Sequence, residues 1–264
     1  MLEMTTTQRA GENREGRCVI FDADDTLWAT QQLYDQAKDK FADLVCRELH
    51  LRGTLIARLD AYDAHAAQMQ GFDRNRFGDS MQAVYTALCQ EAGAVPDPRV
   101  QSALRSTADE VFIRTPAVYP DAHAALKRLR VTHRLFLLTK GDQAVQRQRV
   151  SQSGLACYFE QIYISADKTA TSYTRILQGH GIPLHGAWAI GNSARSDINP
   201  ALTAGLRAVM IPNTSWVYET QQLQAGDVKV ASSLTEAADH ILTSGSRTLS
   251  PALASRAGPD ERTS

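Results

Sequence analysis

A doubly wound α/β fold around a parallel sheet is the architecture this sequence predicts, and three observations carry the prediction. Short, unbroken apolar runs recur along the chain, stretches with helical spacing separate them, and one connection is too long for a simple crossover. Apolar runs this short and continuous suit strands buried on both faces, as in a parallel sheet. Their alternation with helices is the βαβ rhythm of a layered α/β domain.

The first run, "CVIF", ends against a crowd of carboxylates, Asp22, Asp24 and Asp25, in "VIFDADDTLW". No strand-like run follows from about Thr30 to Thr115. Leu33, Ala37, Phe41, Leu44 and Val45 recur at helical spacing there, as do Phe77, Met81, Val84, Tyr85 and Leu88, then Val100, Leu104 and Val111. An insertion of roughly 85 residues is large enough for a small helical bundle. "TPAVYPD", with two prolines, marks the return to the sheet. A helix over 121–130, the strand "RLFLLT", a helix over 144–153, and the strands "QIYIS", "AWAI", "AVMI" and, more weakly, "VKVA" complete the pattern. The expected organisation is a sheet domain of 17–30 and 116–243 interrupted by a helical unit of 31–115. Tails of 1–16 and 244–264, polar or rich in Ser, Pro and Gly, are expected to be disordered.

Composition narrows the function. With 264 residues, 43% of them hydrophobic, the chain can bury a substantial core. A formal net charge of −1 leaves no electrostatic footprint for nucleic acid or an anionic membrane, so neither is expected as a partner. No window approaches the ~18 apolar residues of a membrane span, and the polar N-terminus lacks a signal-peptide core. Cys18, Cys46, Cys89 and Cys157 lie far apart and are expected as reduced, packed thiols, which makes the cytoplasm the expected compartment. The histidines show no metal-ligand spacing.

Four stretches carry chemistry. "FDADDTLW" places Asp22 and Asp24 at the end of the first strand, where open α/β sheets bind ligands. "LFLLTKGD" ends a strand at Thr139, "ADKTATSY" holds Lys168, and "AIGNSARSDI" holds Asn192 and Asp197. In this order they resemble the motifs of the haloacid dehalogenase-like (HAD) superfamily: D-x-D-x-[TV], a strand-end Thr or Ser, a lysine, and G-D-x-x-x-D or a relative. The resemblance spans nearly everything between the tails. It implies a Rossmann-like core with a C1-type helical cap inserted after the first strand, and the wording is nearest to phosphatase-like members.

The expected reaction is hydrolysis of a small phosphorylated metabolite. Asp22 is the candidate nucleophile, forming an aspartyl-phosphate, and Asp24 the candidate acid and base. Asp22 and a desolvating lid are expected to raise the Asp24 pKa. Thr139 and Lys168 would hold the phosphoryl oxygens. Mg²⁺ suits such an oxygen-only site. The resemblance implies ligands from the Asp22 carboxylate, the Asp24 carbonyl and a fourth-motif side chain. That motif departs from the common pattern, with Asn192 where an Asp is usual, so either Asp197 becomes the ligand or Asn192 coordinates with Asp197 behind it. Competing readings are 2-haloacid dehalogenation, which needs neither metal nor Asp24, a phosphomutase, and a non-catalytic binding protein.

Other residues have plainer expectations. Asp25 reads as a local cap or hydrogen-bond acceptor. Arg74 and Arg76 read as a solvated loop or helix start in preference to substrate anchors. Trp28 and Trp216 suit a pocket wall and simple packing equally.

Overall fold

The computed structural model describes residues 14, 16–50, 53–213, 216, 219 and 221–246. The two tail expectations fall mostly outside these residues, although the final helix continues to Ser246, three residues beyond the expected boundary.

Six parallel strands form the main sheet. They are β1 (Cys18–Phe21), β4 (Arg134–Lys140), β5 (Gln161–Ser165), β6 (Ala187–Gly191), β7 (Arg207–Met210) and β8 (Val228–Val230), in the order β5-β4-β1-β6-β7-β8. All six apolar runs are strands of this sheet. β1 lies at its centre, with Phe21 opposite Leu137 on one side and Ile190 on the other. Because strand side chains alternate, β1 feeds two separate cores. Val19 and Phe21 join Leu135, Leu137, Trp188 and Ile190 beneath α5 (Ala122–Leu129) and α9 (Leu234–Ser246). Cys18 and Ile20 join Phe136, Leu138 and Ala189 beneath α7 (Ala170–Gly179) and α8 (Asn199–Thr203). Burial on both faces is why β1 reads as an unbroken apolar run. A further helix, α6 (Gln143–Ser153), follows β4.

Between Ala29 and Ala117 the chain makes four helices: α1 (Gln31–Leu49), α2 (Leu55–Gln70), α3 (Arg76–Glu91) and α4 (Pro98–Ile113). They share a core of their own, with Phe41, Leu59, Phe77, Tyr85 and Leu104 at its centre, and Val145 of α6 joins it. The hydrophobic spacing announces α1, α3 and α4 but not α2. The buried face of α2 consists of Leu55, Leu59, Asp63, Ala66 and Ala67, too small and too polar to stand out as an apolar stripe. Two short strands, β2 (Trp28–Ala29) and β3 (Ala117–Val118), pair antiparallel where the chain leaves and re-enters the sheet region. Two-residue strands carry no periodicity and were not expected.

The cysteines are all free: Cys18 and Cys89 are buried, Cys46 is half-buried, and Cys157 is exposed, contrary to the expectation of packing. No helix among the described residues is long and apolar enough to cross a membrane.

Candidate active site

The site begins where β1 runs out. The Asp22 amide still donates to Ile190 O at 2.8 Å, so its carboxylate leaves the sheet from a fixed backbone. The chain then turns, with Thr26 N and Leu27 N both donating to Ala23 O, at 3.2 and 2.8 Å. Asp25 takes a left-handed backbone (φ 60), unusual for a residue with a side chain. Its carboxylate accepts from Gln31 N at 2.8 Å and anchors the start of α1, the local role expected of it.

Asp22 is only 8% exposed. One carboxylate oxygen accepts from Lys168 Nζ and the other from Thr26 Oγ1 at 2.7 Å. The same ammonium donates to Asp197 Oδ1 at 2.7 Å, so Lys168 bridges two buried carboxylates. Burial and the nearby Asp197 push the Asp22 pKa up to about 7, against the opposing pull of Lys168 and Thr26. Burial disfavours charge on Lys168, but Asp197 and Asp22 outweigh it and hold the lysine above its ordinary value. The second Asp197 oxygen accepts from Ser193 N at 3.0 Å, so both of its oxygens have protein partners. Gly191 makes this close approach possible, since a Cβ there would lie 2.4 Å from Asp197 Cβ.

Thr139, near the end of β4, is 1% exposed, and its hydroxyl has no hydrogen-bond partner among the described residues. A buried, unsatisfied hydroxyl is costly unless something else fills it, and here it lines the same cavity as Asp22. Asn192 also lines that cavity and is half-buried, with Thr26 Oγ1 at a long 3.5 Å from its Oδ1.

Asp24 departs from expectation. Its Oδ1 accepts from Trp28 Nε1 at 2.7 Å and Thr30 Oγ1 at 2.6 Å, and its Oδ2 from Gln146 Nε2 at 2.7 Å. Arg149 Nη1 reaches both oxygens, at 3.2 and 3.3 Å. Burial raises its pKa, but Arg149 and the three neutral donors more than reverse this, and the net direction is down. The expected rise considered only the negative neighbour and the lid, and missed donors from α6 that are distant in sequence. Arg149 also donates to Val111 O of α4 at 3.2 Å, joining the caged carboxylate to the inserted helices.

One further expectation is corrected here, and an open one is decided. Arg76 is 4% exposed, not solvated, and lines the cavity, whereas Arg74 is exposed and does not. Trp28 is buried and holds Asp24; Trp216 lines the cavity. Sequence reasoning missed a polar cluster beside the site, in which Lys140 Nζ donates to Glu219 Oε1 and Ser196 Oγ, both at 2.6 Å, and Ser193 Oγ donates to Glu219 Oε2 at 2.7 Å. "TKGD" offered the lysine, but nothing marks Glu219, which arrives from a loop after β7.

The cavity has a volume of about 160 Å³ and is lined by all six predicted site residues, Asp22, Asp24, Thr139, Lys168, Asn192 and Asp197. Four sequence motifs therefore meet in one place. A model of haloacid dehalogenase-like hydrolases matches residues 17–205. This chain belongs to that family. Phosphatases are among the hydrolase's relatives. The N-acylneuraminate-9-phosphatase of Mus musculus is 31% identical over 100 residues, 36% of this chain and 40% of that protein. The phosphoserine phosphatase of Thermus thermophilus is 28% identical over 143 residues, 51% of this chain and 55% of that protein. The matches thus span about half the length of these relatives. Among solved structures, a haloacid dehalogenase-like family hydrolase from Xanthomonas campestris superposes with a TM-score of 0.72 at 22% identity, covering 88% of this chain and 96% of that one. The L-2-haloacid dehalogenase of Xanthobacter autotrophicus gives 0.56 at 18% identity, covering 86% and 98%. At these identities the structural likeness establishes the fold.

The oxygens around Asp22 suit a small hard cation. Among the described residues no three His, Cys, Asp or Glu side chains are grouped to hold a metal. Mg²⁺ does not need such a group, because it keeps several waters and takes one or two carboxylates. Asp22 and Asn192, which both line the cavity, offer oxygens of that kind, and Asp197 is tied to Lys168 and the Ser193 amide.

Proposed function

We propose that this hydrolase is a Mg²⁺-dependent phosphatase acting on a small phosphorylated metabolite through an aspartyl-phosphate at Asp22. The reading rests on one observation above others: a strand-end carboxylate gripped by Lys168 shares its cavity with a buried, unpartnered Thr139 hydroxyl. That hydroxyl suits a phosphoryl oxygen, which accepts hydrogen bonds and donates none. Asp22 would attack phosphorus in line with the departing oxygen, forming one P–O bond as the other breaks. The departing oxygen takes a proton from solvent, and water then attacks the phosphorus of the acyl-phosphate. Asp24, held as a carboxylate, takes that water's proton and passes it back to solvent, and free phosphate departs as Asp22 is restored. A bound divalent cation would neutralise charge on the transferring phosphoryl group. Asp22, Asn192 and the Asp24 carbonyl would hold it, with Asp197 positioning Lys168. In this reading residues 17–30 and 116–243 form the catalytic unit, residues 31–115 cap it, and the reducing cytoplasm is its compartment.

The test is phosphate release from a panel of esters, with Mg²⁺ and with EDTA, for the wild type and Asp22→Asn. Release that needs Mg²⁺ and vanishes in the variant is the expected result. Turnover retained by Asp22→Asn would sink the covalent route. A 2-haloacid dehalogenase is the second reading, favoured by Asn192 replacing an acid and by the full set of donors on Asp24. Chloride release that survives EDTA, without phosphate release, would establish it instead.

A further inference from the structure

The inserted helices supply their own charged wall to the cavity. Three of its side chains are both charged and buried: Lys38 of α1, Asp63 of α2 and Arg76 of α3. Lys38 is matched by Asp60 at 2.6 Å. Arg76 is held differently. Its Nη1 pairs with the Asp63 carboxylate and donates to Asp63 O at 3.1 Å. Two rings that pack on each other lie against it, Trp216 at 5.1 Å and Phe72 at 5.7 Å from the guanidinium carbon. A carboxylate behind and aromatic rings beside it fix the guanidinium, yet its Nε is buried with no hydrogen-bond partner. Tyr34 of α1 lines the same cavity, and its hydroxyl makes no hydrogen bond to any described residue. The Tyr34 ring packs edge-to-face against Phe77 at 5.0 Å and Phe112 at 6.3 Å, which fixes it in the cavity wall that Arg76 and Asp63 also line.

We propose that Arg76 and Tyr34 form a second anion-recognition point, so that the cavity selects phosphate esters whose leaving group carries a carboxylate. A purely structural Arg76–Asp63 pair accounts for the burial, but not for the unbonded Tyr34 hydroxyl that lines the cavity together with Arg76. A carboxylate accepts from that hydroxyl and is attracted by the guanidinium, whereas a neutral hydroxyl gains less. The positive Arg76 guanidinium disfavours esters that carry a bare ammonium there. The inference rests on the phosphatase reading, and its test separates the two.

Matched esters that differ only by a carboxylate against a hydroxymethyl or methyl group are compared in Mg²⁺: phosphoglycerate with glycerol phosphate, and phosphoglycolate with ethyl phosphate. An aryl phosphate serves as a generic substrate. Wild-type kcat/KM should favour the carboxylate member of each pair by roughly tenfold or more, the size of one charge-assisted hydrogen bond. Arg76→Met should remove most of that ratio, chiefly through KM, and Tyr34→Phe should reduce it. Equal kcat/KM within both pairs overturns the inference, as does aryl phosphate cleavage without turnover of either carboxylate ester. No release even from the aryl phosphate overturns the phosphatase reading itself. Should Arg76→Met fail to fold, because Asp63 is left buried alone, Tyr34→Phe and Arg76→Lys decide, and an unchanged ratio in both refutes the proposal.

Discussion

Replacing Lys168 with methionine tests the electrostatics at the heart of the site. The side chains concerned are all buried: Lys168 is 2% exposed, Asp22 8% and Asp197 3%. Methionine fills the space but leaves two carboxylates facing each other without a cation. Removing one member of a buried pair costs about 3–5 kcal/mol. The pH dependence follows from the same geometry. Asp22 already lies at about 7 with the lysine present, and without it this carboxylate must move further up. A carboxylate whose folded pKa is raised binds a proton that the unfolded chain has released. Stability is therefore lost as pH rises between the unfolded value, about 4, and the folded one, by roughly 1.4 kcal/mol per unit for each proton. Urea unfolding in EDTA at pH 5 and pH 8 should show Lys168→Met far weaker than wild type at pH 8 and closer to it at pH 5. Adding Asp197→Asn should restore much of the loss. A penalty under about 1 kcal/mol at pH 8, or one equal at both pH values, would refute the reasoning.

Other perturbations bear on separate parts of the structure. Asn192→Asp adds a negative charge to the proposed donor set and should lower the Mg²⁺ concentration for half-maximal activity; superimposed titrations would count against Asn192 facing the ion. Gly191→Ala drives a methyl into Asp197, with contacts of 2.4 to 2.5 Å. It should cost about 1–3 kcal/mol and most of the turnover, and a variant with unchanged melting and activity would show that Asp197 is free to move. His133 is buried near Arg17 and Arg207, and burial first, then those cations, lower its pKa from 6.5 to about 4. Because the unfolded chain takes up that proton first, stability should fall between pH 6.5 and 4 by roughly 1.4 kcal/mol per unit, and His133→Gln should flatten this part of the curve.

What was legible in the sequence is what local pattern encodes. "CVIF", "RLFLLT" and "AWAI" are central strands because each must be apolar on both faces, and that demand leaves an unbroken run. The six site residues are legible because each sits where a strand ends or a loop follows one, and the order of the strands brings those ends together. Side-chain partnerships across the fold were not legible. Arg149 and Gln146 look like ordinary polar positions of a helix, yet they decide the state of Asp24 from more than a hundred residues away. Arg76 sits among polar neighbours in "DRNRFGDS", and only the arrival of Trp216 and Asp63 from other segments buries it. Short strands such as β2 and β3 lie below the length at which periodicity carries information.

That small ribbon has a consequence for how such a protein can change. Trp28 pairs with Val118 and Ala29 with Ala117, so the two points where the chain departs and returns are neighbours held by backbone hydrogen bonds. A segment whose ends already touch is joined to its host like a bulb in a socket. Besides this ribbon the segment meets its host through Asp25 at the start of α1, Val145 and Arg149 of α6, while β1 and β4 pair through residues outside it. On the proposed reading, the reacting groups and the residues that choose among substrates lie on separate parts of the chain and can follow separate histories. Tyr34 and Arg76 belong to the inserted helices, Asp22 and Lys168 to the loops at the ends of the sheet's strands.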